Sequence, residues 1–180
     1  MSPKLSTREL CQIALFTAII TACAQIAIPL PGMVPFTLQT WAIGLAGLVL
    51  GPKNGTLATI VYVLLGAVGA PVFAHFTGGM GIILRQTGGF IISFPLISLF
   101  AGLGERTGKL PLTFAGLAAG VLANYLVGML YFSWVLSTSL AVAFGAAVLP
   151  FIPSGALLVI LLPFMSKGIK AALAAGRVRT

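Results

Sequence analysis

The stretch LTFAGLAAGVLANYLVGMLYFSWVL, from Leu112 to Leu136, runs through 25 positions without a charged residue. At about 1.5 Å of rise per residue, about 20 apolar residues cross the hydrocarbon of a bilayer, so this segment reads as a transmembrane helix. The rest of the chain has the same character. Of 180 residues, 59% are hydrophobic and 7% charged, and the mean hydropathy is +1.13; a soluble domain carries roughly 25% charged residues. So little charge cannot cover a soluble globule. With short loops the length accommodates about six such helices and no separate soluble domain, so residues 1–180 are expected to form a single all-α, six-helix membrane domain.

Proline and glycine mark the other boundaries. A first helix is expected from Leu10 to Ile28, stopped by Pro29-Leu30-Pro31-Gly32. A second runs from Leu38 to Leu50, ended by Gly51-Pro52-Lys53-Asn54-Gly55, and a third from Thr56 to Gly69. A loop from Ala70 to Gly89 follows, then helices over Phe90–Leu103, Leu112–Leu136 and Ser154–Ala174. Ser137–Pro150 is too short to cross alone and reads as an interfacial or re-entrant segment. The first apolar stretch is as long as a span and lacks a cleavage site after a short apolar core, so it is expected to stay in the mature protein. Cys11 and Cys23 lie about 18 Å apart along that helix, too far to bond each other, and read as packing thiols.

The net charge is +8, which topology explains without nucleic acid. From a cytoplasmic amino terminus, six spans place Lys4, Arg8, Lys53, Arg106, Lys109, Lys167, Lys170, Arg177 and Arg179 on the cytoplasmic side of the plasma membrane, as the positive-inside rule expects. The carboxyl terminus is then cytoplasmic too. Arg85 is the exception, in a long external loop. A guanidinium offers a planar fork to a carboxylate, so Arg85 is a candidate partner for an anionic substrate; an exposed loop arginine or a lipid-phosphate contact is the plainer alternative.

The only acids, Glu9 and Glu105, fall at cytoplasmic helix ends. Ion-coupled carriers commonly use a carboxylate within the membrane, and no ATP-binding Gly-x-x-x-x-Gly-Lys-Ser/Thr loop occurs here. A transporter of this composition is expected to draw its energy from another subunit. The same scarcity disfavours an enzyme, a metal site or a cofactor. His75 has no Cys, Asp or Glu at ligand spacing, and no Ser/His/acid set can be assembled.

Non-helical, proline-rich backbone at membrane depth is tolerated where protein buries it or it lines a cavity. Pro29–Thr37 and Pro71–Gly89 could both be such segments and, with Pro150–Gly155, cap an apolar pocket at the external side. Thr37, Gln39, Arg85, Thr87 and Asn124 are the polar candidates for its ligand contacts, joined by Phe36 and Tyr131. For Tyr131, as for Tyr125, packing is the simpler reading. Asn124 sits in mid-span, where an unpaired amide is costly, and serves either an interhelical hydrogen bond or a ligand. Ala14, Ala18 and Ala22, spaced four apart, lie on one helix face and permit close approach of another helix, from this chain or from a separate membrane subunit.

An ordered series of motifs extends these readings. It comprises Ala24-Gln25-Ile26-Ala27-Ile28-Pro29-Leu30-Pro31, Val34-Pro35-Phe36-Thr37-Leu38-Gln39-Thr40, Gly51-Pro52-Lys53, Gly66-Ala67-Val68-Gly69-Ala70-Pro71-Val72-Phe73-Ala74, Thr87-Gly88-Gly89-Phe90, Tyr125 to Gly128, and Leu149-Pro150-Phe151-Ile152-Pro153. Over nearly its whole length the chain thus resembles the substrate-binding membrane subunits of energy-coupling-factor vitamin importers, and among them the biotin-specific BioY family. The resemblance implies a six-helix fold, biotin binding at the external face, and coupling to a transmembrane subunit and paired cytoplasmic ATPases. It places Thr87 and Gly88 near the ligand pocket and the Ala14, Ala18 and Ala22 face against the coupling subunit.

Two positions depart from that pattern. Arg85-Gln86 stands where the family usually has Gly-Pro, so Arg85 rests on the charge argument. Where the family usually places an Asp, and a Lys three residues later, on the last helix, this chain has Gly155 and Leu158. Lys167 is about 13 Å farther along that helix. Either Arg85 and backbone groups suffice for biotin, or the substrate is a related carboxylated molecule.

Overall fold

The structure, a computed structural model, describes residues 5–28 and 34–177, with side chains through residue 172. Pro29-Leu30-Pro31-Gly32, Lys4 and Arg179 lie outside the described residues, as does the side chain of Arg177. Helix α1 (Thr7–Gln25) starts at a reciprocal cap: the Glu9 amide donates to Ser6 Oγ at 3.2 Å and the Ser6 amide to Glu9 Oε2 at 2.8 Å. It ends three residues earlier than Ile28 because Ala27–Ile28 (β1) leave the helix to pair antiparallel with Phe36–Thr37 (β2). The all-α expectation is thereby corrected by one short ribbon.

Helix α2 (Gln39–Ala67) is one run interrupted at Gly51, whose φ of 80° and ψ of 176° are not helical. Pro52 explains the break: it lacks an N–H and disfavours helical backbone in the residue before it. Gly55 lies against the backbone of Ala46 and Gly47, so the two limbs fold back on each other. They correspond to the expected second and third helices. The loop beyond contains a 3₁₀ turn (Ala74–Phe76) and a one-turn helix, α3 (Met80–Ile83). Then come α4 (Gly88–Arg106), α5 (Leu110–Leu136), α6 (Leu140–Ala147), a 3₁₀ turn (Leu149–Phe151) and α7 (Ile152–Arg177). Among the described residues 5 helical segments are long and apolar enough to cross a membrane, ending with the joined run Leu140–Ala172. The protein is a multi-pass helical membrane protein.

Helix α4 is the central element: 61% of its apolar stretch is buried, against 28% for each of the other segments. Helix α5 packs on it through residues four apart. Gly116 meets Phe100 and Gly104, Gly120 meets Ile97, and Gly128 meets the Phe90 ring. Small residues on such a stripe let helix backbones approach closely, and Asn124 occupies the remaining position of the series. The other side of α5 exposes Leu122, Leu126, Leu130 and Trp134, an apolar surface suited to lipid.

The charges collect at one end of the bundle. Lys170 Nζ lies 2.6 Å from Glu105 Oε1, and Thr113 Oγ1 donates to Glu105 Oε2 at 3.0 Å, tying α7, α4 and α5 together. Asn54 Nδ2 donates to Glu9 Oε1 at 3.3 Å, tying the α2 turn to α1. Arg85 precedes the opposite end of α4, about 25 Å away by helical rise. On α1, Ile13, Phe16, Thr17, Ile20 and Ala24 are buried, whereas Ala14, Ala18 and Ala22 are exposed. Among the described residues no helix covers the alanine face.

Candidate ligand-binding site

At the end of the bundle that carries Arg85, a cavity of about 300 Å³ opens between the start of α2, the 71–77 loop, α4, α5 and α7. That volume is at the lower limit of small-molecule pockets, roughly 300–1,000 Å³. Its walls are mainly apolar, with the rings of Phe73, Phe90, Phe94, Tyr125 and Phe151. Phe36, Thr37, Gln39, Arg85, Thr87 and Asn124 all line it. Two other candidates stand behind the wall. Tyr131 donates its hydroxyl to the Ile83 carbonyl at 3.0 Å, bracing the turn before α4. Gly88 is buried with its Cα against that same Ile83 carbonyl, where a side chain would have no room.

Arg85 is exposed at the cavity, and both carboxylates of the chain are engaged at the far end, Glu9 by Ser6 and Asn54 and Glu105 by Lys170 and Thr113. Arg85 therefore lines the cavity without an internal acid to neutralise it. Gln39 is 5% exposed and its Nε2 has no partner among the described residues. Leaving such a buried donor unpaired costs about 1–3 kcal/mol, which a bound acceptor would recover. Asn124, 2% exposed, donates through Nδ2 to the Phe90 carbonyl at 2.9 Å and to Ser93 Oγ at 2.8 Å.

The 71–77 loop forms part of the rim through Phe73, Ala74, His75 and Thr77. His75 and Phe76 have φ of 58° and 55°, a left-handed backbone that side chains disfavour. Gln25, the last residue of α1, holds that conformation. Its Oε1 accepts from the Phe76 amide at 2.8 Å, and its Nε2 donates to the carbonyls of Phe73 at 3.1 Å and Val72 at 3.3 Å. Tyr62 adds a bond from its hydroxyl to the Val72 carbonyl at 3.1 Å. Gln25 and Ser93 escape sequence reasoning because a glutamine at a helix end and a serine among apolar residues carry no distinguishing pattern. The motif Ala24-Gln25-Ile26 was the one available pointer to the first.

On α7, Gly155 and Leu158 both face the cavity, so the last helix presents no charge there. The Tyr125 hydroxyl occupies the space a side chain at Gly155 would fill and donates to the Phe151 carbonyl at 2.8 Å. Beyond Tyr125 and Gly155 lies a second hollow between α5, α6 and α7, almost wholly aliphatic and aromatic. Among the described residues no group of His, Cys, Asp and Glu gathers as a metal site.

The arrangement suits an elongated, mostly apolar molecule with an anionic end at Arg85. The BioY family model matches residues 1–175. The probable biotin transporter BioY of Pyrococcus horikoshii is 43% identical over 82% of this chain and 87% of its own length. The biotin transporter BioY of Thermotoga maritima is 44% identical over 68% of this chain and 72% of its own. The crystal structure of the S-component for biotin from an ECF-type ABC transporter superposes with a TM-score of 0.80 at 25% identity, covering 93% of this chain and 95% of that one. On the match along residues 1–175 and the shared fold, this chain belongs to the BioY family.

Proposed function

We propose that this protein is the substrate-binding membrane subunit of a vitamin importer and that its substrate is biotin. The observation that carries the reading is the apolar cavity bounded by an arginine with no acid of its own and by the buried amides Gln39 and Asn124. Biotin has a carboxylate on an aliphatic chain at one end and a ureido ring at the other. Arg85 takes the carboxylate, the aromatic walls take the chain and ring faces, and the amides take the ring's polar atoms. Thr37, Thr87 and Phe36 complete the contacts, while Gly88 and Tyr131 shape the site from behind. Gly155 and Leu158 supply space rather than charge.

The chain forms one domain with six crossings, each limb of α2 counting as one, and the charged end of the bundle is cytoplasmic, as are both termini. The exposed Ala14, Ala18 and Ala22 face on α1 docks a transmembrane coupling subunit, to which cytoplasmic ATPases deliver the energy of release. Reconstitution in liposomes with labelled biotin tests this. Alone, the protein is expected to bind about one biotin without accumulating it; joined by the coupling and ATPase subunits of a BioY relative, it accumulates biotin with ATP. Accumulation by the chain alone would replace the coupled mechanism with a facilitator. No binding would remove biotin as the substrate.

A further inference from the structure

The hydrogen bonds around Asn124 determine what this residue can offer a ligand. The Phe90 carbonyl, 2.9 Å away, can only accept, so the amide atom facing it is the nitrogen. The second amide proton goes to Ser93 Oγ at 2.8 Å. Ser93 is 4% exposed and gives its one proton to the helix carbonyls of Gly89 at 2.7 Å and Phe90 at 3.2 Å, so toward Asn124 it acts as an acceptor. Both Asn124 donors are thus consumed. Its Oδ1 has no partner among the described residues, and Asn124 lines the cavity.

We infer that Ser93 is a positioning residue, holding Asn124 as a pure acceptor so that the depth of the cavity selects a ligand carrying an N–H donor there. An amide free to turn accepts or donates and discriminates little; one pinned on two acceptors rejects a ligand that brings a lone pair, because two acceptors then face each other. The inference rests on the biotin reading, in which the donor is one ureido N–H, and it assigns the two ends of the ligand separately: anion at Arg85, donor at Asn124.

The test uses the purified full chain in detergent and three ligands: biotin and the two carbamate analogues in which a ring oxygen replaces one or the other ureido N–H. In the wild type one analogue is expected to bind roughly tenfold more weakly than the other, the loss of one buried hydrogen bond. Ser93→Ala leaves one Asn124 N–H without its acceptor while the Phe90 carbonyl still holds the other; that freed N–H can meet a ligand lone pair and narrows the gap, whereas Ser93→Thr, which keeps the hydroxyl, preserves it. A merely structural serine would weaken all three ligands alike and leave the gap unchanged. Should Ser93→Ala fail to fold, Ser93→Cys, similar in size with a poor acceptor, is expected to narrow the gap in its place. An unchanged gap in the variant that folds, or equal binding of both analogues by the wild type, would overturn the proposal alone. Absence of biotin binding by the wild type would overturn the underlying reading and the proposal with it.

Discussion

Arg85→Gln is expected to weaken the binding of biotin by roughly ten- to a hundredfold, the range for a lost charge-assisted hydrogen bond, while biotin amide binds the variant almost as it binds the wild type. The difference between acid and amide is the decisive quantity. Glu9 and Glu105 are both engaged at the far end of the molecule, so removing the cation leaves no internal anion unpaired and the fold has no reason to respond. Arg85→Lys keeps the charge but loses the planar fork, and its affinity for the acid falls between the two. Titration of each variant with acid and amide measures the effect; equal losses for both ligands would show that Arg85 does not meet the carboxylate.

Ala18→Trp is expected to reduce ATP-driven uptake to near background with the affinity for biotin unchanged. Ala14, Ala18 and Ala22 are exposed along α1 while the opposite face of that helix is buried, so an indole at position 18 displaces no side chain among the described residues. It does obstruct a helix that must approach closely, because small residues four apart are what permit such contact within a membrane. Uptake and binding measured on the same preparation separate the outcomes. Uptake retained with Trp in place would remove α1 as the docking face, and loss of binding would show that the alanines serve the fold.

The positions of the spans were legible because they depend on local chemistry: long uncharged stretches, and breaks wherever proline and glycine exclude helix. Arg85 stood out for a related reason, since the positive-inside rule gives an expected side to every other basic residue, and it lines the cavity. Less of the site could be read. The pinning of Asn124 arises from the approach of α5 to α4 at Gly120 and Gly128, a contact between helices that periodicity in one helix does not reveal. The same holds for Tyr131, whose hydroxyl is taken by Ile83, and for Gln25, whose four polar partners include three from a loop some fifty residues away. Gly155 was visible as a departure from the family, but its consequence, room for the Tyr125 hydroxyl, required the packing of α5 against α7.

The identity of the ligand is the property on which the proposed function depends most directly. Calorimetric titration of the purified protein with biotin and, separately, with the other water-soluble vitamins is expected to give a saturable heat at one biotin per chain and none of comparable affinity with the rest. Tight binding of another vitamin, with no heat from biotin, would contradict the assignment of this cavity to biotin.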